Sequence, residues 1–263
     1  NSFGTFNSYG VWQPITYGGS YGINGFYLPF TNTTSTTTLG YDFSPNGNNW
    51  TTNNISLTAG ATYDSMTDVP TLTSATAANY AVLSPIDKGS EVTLANANLS
   101  VSWSGVTGNS VRATMGCTSG QWYWEVTSGG NSSIGLINFA LPIVPASGNQ
   151  WVGGGGFGAG GSYGYAPTGL AYTNNTGTSY GASFTTGDVI GVAFDSSAGT
   201  LTFYKNGVSQ GVAYTGISTS ILYAPAIGYF QPSSGTSNSF NFGQRPFAYT
   251  PPTGYVALNT FNL

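Results

Sequence analysis

Residues 188–214 constrain this chain more than any other stretch. The run Asp188-Val-Ile-Gly-Val-Ala-Phe-Asp195 is rich in β-branched and aromatic residues, the turn 196–199 brings it back through 200–205, and Asn206-Gly207 then leads into 208–214. Asn-Gly is a strong hairpin signal, because both central positions of a two-residue hairpin turn need positive φ. Three consecutive antiparallel strands are therefore expected.

Other segments carry the same signature. Leu99-Ser-Val-Ser-Trp103 alternates with period two, and Gln121-Trp-Tyr-Trp-Glu-Val-Thr127 is bounded by Gly120 and by Gly129-Gly130. Trp122 and Trp124 are expected on opposite faces of that strand, one in the core and one against another layer. Residues 55–100 alternate short apolar pieces with polar turns, Pro70 and Pro85. Residues 1–50 read as loop with one strand at Phe26-Tyr-Leu-Pro-Phe30. No long amphipathic periodicity appears, which excludes a helical core.

Five segments stand in a recognisable order: Gly120-Gln-Trp-Tyr-Trp-Glu-Val126, Gly187-Asp-Val-Ile-Gly-Val-Ala-Phe-Asp195, Thr200-Leu-Thr-Phe-Tyr-Lys-Asn-Gly-Val208, Leu222-Tyr-Ala-Pro-Ala226 and Phe240-Asn-Phe-Gly243. They resemble the successive motifs of SPRY domains over about 99–245. The resemblance implies an all-β fold, an antiparallel two-sheet SPRY-like (jelly-roll or lectin-like) sandwich that displays ligand-contacting loops at one edge and carries no catalytic machinery. The flanks, with Tyr21-Gly-Ile-Asn-Gly-Phe-Tyr-Leu-Pro-Phe30, Gly40-Tyr-Asp-Phe-Ser-Pro-Asn-Gly-Asn-Asn-Trp50, Leu83-Ser-Pro-Ile-Asp-Lys-Gly89 and residues 242–254, resemble SPRY-containing modules of bacteriophage tail fibres and other virion proteins. The expected organisation is an N-terminal β-rich extension over 1–98, the sandwich over 99–245 and a Pro-rich tail over 246–263.

Charge narrows the function classes. Only 5% of the residues are charged, so the surface must be made of Ser, Thr, Asn, Gly and Tyr. The four cations, Lys88, Arg112, Lys205 and Arg245, are too scattered to form a phosphate-binding stripe, which argues against nucleic acid. No run of about twenty apolar residues exists, so no membrane insertion is expected. Cys117 is the only cysteine. The start at Asn1, with no initiator Met, suggests a processed or excerpted piece of a longer chain.

The absence of His, together with a single Cys, removes Ser-His-Asp, Cys-His and zinc chemistry. Paired carboxylates of a depolymerase would have to come from Asp64 and Asp68 or from Glu91, and turn capping explains the Asp pair better. Asp42, Ser44, Asn46 and Gly47 have the spacing of the first half of an EF-hand loop, but position twelve is Asn53; the segment is a weak calcium candidate with a plain Asn-Gly turn as the leading reading. Gly156-Phe-Gly158-Ala-Gly-Gly161 satisfies a dinucleotide pattern on paper, yet no helix follows it. No cofactor is expected.

Aromatic residues make up 15% of the chain. In the loops around 139–165, 173–181 and 229–237, Trp151, Phe157, Tyr163, Tyr165, Tyr172, Tyr180, Tyr229 and Phe230 are the candidate ligand contacts, since ring faces stack on apolar surfaces. The expected function is a non-enzymatic virion surface protein, as tail fibre, capsid fibre or decoration, that recognises a host-surface glycan or protein. Its expected location is the virion surface and its expected partners are other virion subunits, with homo-oligomers. The alternative is a purely structural assembly protein without external ligand.

Overall fold

The computed structural model describes residues 3–8, 10, 12–15, 17–66, 74–105, 109–143, 149–230 and 237–263. The chain divides into two compact units, Asn1–Leu57 and Thr58–Leu263.

In the first unit β1 (Gly4–Phe6) and β2 (Trp12–Pro14) form an antiparallel pair. A single helical turn, α1 (Thr36–Leu39), begins in a reciprocal capping box between Ser35 and Thr38. The expected strand at 26–30 joins no ladder; Phe26 instead packs edge-on against Trp50 at 5.0 Å. Asp42 organises the following turn. Its carboxylate accepts from Ser44 Oγ at 2.7 Å and from the backbone N–H groups of Tyr27, Ser44 and Asn48 at 2.7, 2.8 and 2.7 Å. Desolvation pushes this carboxyl upward, but the bonds from Ser44, Tyr27 and Asn48 outweigh it and hold its pKa at about 2.

The second unit is built of β3 (Leu83–Lys88), β4 (Val92–Ala95), β5 (Ser100–Trp103), β6 (Ser110–Ala113), β7 (Gln121–Thr127), β8 (Ser132–Asn138), β9 (Ser162–Tyr165), β10 (Leu170–Thr173), β11 (Thr176–Ser179), β12 (Val189–Asp195), β13 (Thr200–Lys205), β14 (Val208–Tyr214), β15 (Tyr223–Tyr229), β16 (Asn238–Asn241) and β17 (Val256–Ala257). Sheet I has the order β11-β10-β9-β8-β15-β6-β3, and sheet II the order β14-β13-β12-β7-β16-β5-β4. The hairpin of β13 and β14 turns at Asn206 and Gly207, whose φ values are 48° and 79°. Residues 83–95, expected within an N-terminal extension, supply an edge strand to each sheet. In the expected C-terminal tail, β17 lies parallel on β7, at Trp122 and Tyr123, beyond the stretch that β16 covers.

One core draws on both sheets. Ile134, Leu136, Tyr165 and Ile227 of sheet I meet Trp122, Trp124, Val126, Ile190, Val192, Phe203 and Phe240 of sheet II. Each such side chain contributes about 1.5–3 kcal/mol by leaving water. Trp122 and Trp124 both point into this core, which corrects the expectation of opposite faces: residues two apart on a strand share a face, and Tyr123 and Glu125 take the other one.

On that other face Glu125 is 2% exposed and fastens the chain after β16. It accepts from the N–H groups of Ala248 at 2.7 Å and Tyr249 at 2.9 Å, and from the Tyr123 hydroxyl at 3.2 Å. Burial raises its pKa above the usual carboxylate value, and the three donors oppose that rise. The edge strand β14 pairs with β13 through two register shifts, which bend it away from regular pairing.

Candidate interaction surface

Part of the outer face of sheet I is made of small residues. Alternating with side chains that enter the main core are Ser110 in β6, Gly228 in β15, Ser133 and Gly135 in β8, and Ser162 and Gly164 in β9, while Arg112 and Ile137 take the next outer positions along β6 and β8. Register places Gly228 between Ser110 and Ser133, and Gly135 beside Gly164, so these residues form one smooth platform.

Residues 150–153, in the connection from β8 to β9, lie on this platform as a strap. A Cβ on Gly228 would stand 2.6 Å from Val152 N and 2.8 Å from Trp151 Cα, and one on Gly164 would stand 2.3 Å from Val152 O. Only glycine lets backbone meet backbone this closely. The serines then pin the strap. Ser133 Oγ donates to Val152 O at 2.5 Å, Ser110 Oγ donates to Gln150 O, and Gly153 N–H donates to Ser162 Oγ at 2.9 Å. Val152, Phe157 and Ile143 bury their side chains with Ile137 and Ala226 in a second, smaller core. The hairpin of β10 and β11 is tied in by Asn175 N–H, which donates to Gly153 O at 2.8 Å.

This mounting brings three rings together. Trp151 from the strap meets Phe230, just past β15, at 4.9 Å and Tyr172 of β10 at 5.1 Å; Tyr172 and Phe230 are 5.3 Å apart. The edge-on geometry is the preferred one for aromatic pairs. Trp151 is 8% exposed, and Tyr172 and Phe230 are half-buried. What the triad offers is ring surface for contact.

Of the eight expected contacts, these three converge. Phe157 lies in the smaller core, and Tyr229 is in the main core against Trp103 at 6.0 Å. Tyr165 is fully buried, with its hydroxyl on Ala182 O. Tyr163 packs on Tyr214 at 5.0 Å, and Tyr180 joins the sheets by donating to Gly211 O at 2.5 Å while accepting from Phe203 N–H at 3.1 Å. Residues 144–148 and 231–236 of the expected loops, and Asp68, lie outside the described residues.

The remaining chemical candidates sit elsewhere. Among the described residues, the cleft that Asp64 lines contains no second carboxylate. Glu91 Oε2 accepts from Asn109 at 3.1 Å. Both Asp42 oxygens are occupied by hydrogen-bond donors, and Asn46 turns its amide nitrogen to the carbonyls of Gly22 and Gly25 at 2.6 and 2.8 Å, so this turn is held by hydrogen bonds where a cation would need free oxygens. Gly156–Gly161 runs into β9.

Residues 121–245 match the family model of the SPRY domain. They are a SPRY domain. The match spans β7 to the segment after β16 and so includes the strap, all three rings and the platform except Ser110. The fold likewise resembles the crystal structure of the SPRY domain of human HERC1, with a TM-score of 0.50, 19% identity, and coverage of 60% of this chain and 96% of that one.

The relatives are eukaryotic. E3 ubiquitin-protein ligase RKP of Arabidopsis thaliana is 34% identical over 155 residues, which are 57% of this chain and 11% of that protein. Dual specificity protein kinase splA of Dictyostelium discoideum is 38% identical over 143 residues, 52% and 5%. Ran-binding protein 10 of Danio rerio is 34% identical over 175 residues, 63% and 28%. The chain thus spans from 5% to 28% of the length of these relatives.

These findings overturn the virion reading. The expected virion-surface function and location, the tail-fibre and decoration roles, the virion-subunit partners and the host glycan rested on the resemblance of the flanks together with the sparsely charged surface, the lack of catalytic residues and the aromatic content, and the relatives are a plant ligase, an amoebal kinase and a fish Ran-binding protein. The physical reason is visible in the first unit. Gly40-Tyr-Asp-Phe-Ser-Pro-Asn-Gly-Asn-Asn-Trp50 is a turn built around Asp42 by local hydrogen bonds, and such turn chemistry recurs wherever a chain reverses tightly.

Proposed function

We propose that this chain is a non-catalytic recognition module whose SPRY domain holds a short segment of a partner protein against the strap and the rings of Trp151, Tyr172 and Phe230. The observation that carries this reading is the mounting itself: a buried Trp151 flanked by the half-buried Tyr172 and Phe230, held by backbone contacts and three serine hydrogen bonds on a small-residue platform. Aromatic residues in a rigid setting supply contact area at low entropic cost. The comparisons support it in a second way. The matched stretch recurs as a small part of proteins named for ligation, for phosphorylation and for Ran binding, so what the stretch has in common is separable from any one of those activities.

The test is selection of a random peptide display library on the immobilised chain, followed by affinity measurement with Trp151→Ala. Enriched peptides should bind the variant about 10- to 100-fold more weakly, the effect of losing a central aromatic anchor. Peptides that bind both proteins equally would place recognition elsewhere.

A further inference from the structure

On the outer face of sheet II the turn between β4 and β5, the residues 61–66 and Arg245 enclose a cleft of about 430 Å³, within the range of about 300–1,000 Å³ usual for small-ligand sites. Ser100 and Ser239 form its floor as register partners, their hydroxyls 3.2 Å apart, and Asn96 donates to Ser100 Oγ at 3.0 Å. Asn96 and Ala97 form one wall, in a left-handed run that continues to Asn98, with φ of 51°, 55° and 61°.

Arg245 is the unusual member. It is 8% exposed, one guanidinium nitrogen donates to Ala61 O, and its buried Nε has no hydrogen-bond partner among the described residues. A guanidinium keeps its charge at every accessible pH and offers five donors in a planar fork. A buried donor without an acceptor is destabilising, and more so on a charged group. Asp64 lines the same cleft and acts on Arg245 through its charge.

We propose that this cleft is a carboxylate-binding site, in which Arg245 takes the chain-end carboxylate or an acidic side chain of a peptide and the hydroxyls of Ser100 and Ser239 support it. The planar fork matches the two oxygens of a carboxylate. The protein carries a net charge of −4, so long-range attraction does not bring an anion here and local pairing must hold it. Asp64 competes with the ligand for the same cation. This site lies on the sheet opposite the aromatic rings and stands apart from the recognition proposed above.

The experiment is an NMR titration of the ¹⁵N-labelled full chain with three probes: N-acetylglycine, N-acetyl-aspartate N-methylamide and the neutral N-acetylglycine N-methylamide. Saturable shifts at the amides of Ala97, Ser100 and Ser239 are expected with a carboxylate probe and none with the neutral one; which carboxylate binds separates a chain end from an acidic side chain. Arg245→Lys, which keeps the charge but lacks the fork, should weaken binding about tenfold. Asp64→Asn should strengthen it about threefold by removing the competing charge. Saturation by the neutral probe, absence of saturable shifts, Arg245→Lys binding as tightly as wild type, or no gain with Asp64→Asn would each overturn the proposal.

Discussion

Gly228→Ala tests whether the platform positions the strap. Gly228 sits in β15 between Ser110 and Ser133, and its added Cβ would stand 2.5 Å from Ser110 Oγ, 2.6 Å from Val152 N and 2.8 Å from Trp151 Cα. Two of those three atoms are backbone, so no rotamer change relieves the clash. Restoring ordinary contact at 3.4 Å requires the strap to lift by about 0.8 Å from Val152 N. That lift stretches the bond from Ser133 Oγ to Val152 O from 2.5 Å to about 3.3 Å and lengthens the bond from Ser110 Oγ to Gln150 O in the same way, weakening both. Overpacking of about 1–3 kcal/mol, with part of the roughly 0.5–1.5 kcal/mol that each of the two stretched hydrogen bonds contributes, places the destabilisation at ~3 kcal/mol. Urea unfolding followed by far-ultraviolet circular dichroism measures it. Hydrogen exchange at Asn175 N–H, which is bonded to Gly153 O, should accelerate in parallel, because the strap loosens before the sandwich does. A variant within about 0.5 kcal/mol of wild type and with unchanged Asn175 exchange would refute the reasoning, since that is the level of a substitution in open space.

Trp122→Phe should cost about 1 kcal/mol more than Trp124→Phe in the same unfolding assay, because Trp122 Nε1 donates to Ser119 O at 2.6 Å while the buried Trp124 Nε1 has no partner among the described residues. Glu125 gives a pH signature. Burial raises its folded pKa above the ordinary 4.5, so the folded state binds the proton more tightly than the unfolded chain; the resulting stability is complete below 4.5 and lost as pH rises through the folded value. Wild type should therefore lose stability relative to Glu125→Gln across that window, and parallel pH profiles would show that the carboxyl does not titrate with folding. Asp42 behaves in the opposite sense: its depressed pKa of about 2 means that the turn should keep its native amide shifts from neutral pH down to nearly that value, and loss of those shifts near pH 4 would contradict the hydrogen-bond account.

The sandwich was legible in the sequence where local chemistry and pattern agree. The strands β12, β13 and β14 were readable because Asn206-Gly207 accepts positive φ and the flanks are β-branched and aromatic. Faces were less legible. The two tryptophans of β7 were assigned to opposite sides although residues two apart point the same way, and the apolar run 26–30 looked like a strand but joins no ladder. Trp151, Tyr172 and Phe230 could be named as loop aromatics. Their convergence could not, since it depends on a strap held by backbone contact, and a contact between main chains leaves no side-chain pattern to read. The trace it does leave is the alternation of small with large residues in Ser133-Ile-Gly-Leu136 and Ser162-Tyr-Gly-Tyr165, where the small members mark the face on which something lies flat. Arg245 stands in the sequence as one of four scattered cations, inside the closing segment 242–254, and the cleft around it is assembled from segments far apart in the chain.

The platform also bears on how such a domain can diversify. A loop anchored through its own main chain, by serines and glycines that belong to the strands beneath it, keeps its path whatever side chains it carries outward. Position is encoded at Ser110, Ser133, Gly164 and Gly228 and at the buried Val152 and Phe157, whereas the surface presented is encoded at the more exposed residues around them, such as Tyr172 and Phe230. New specificities on this scaffold therefore become accessible by single substitutions at outward-facing positions, whereas changes at the side chains of the smaller core would demand compensation in the sheet.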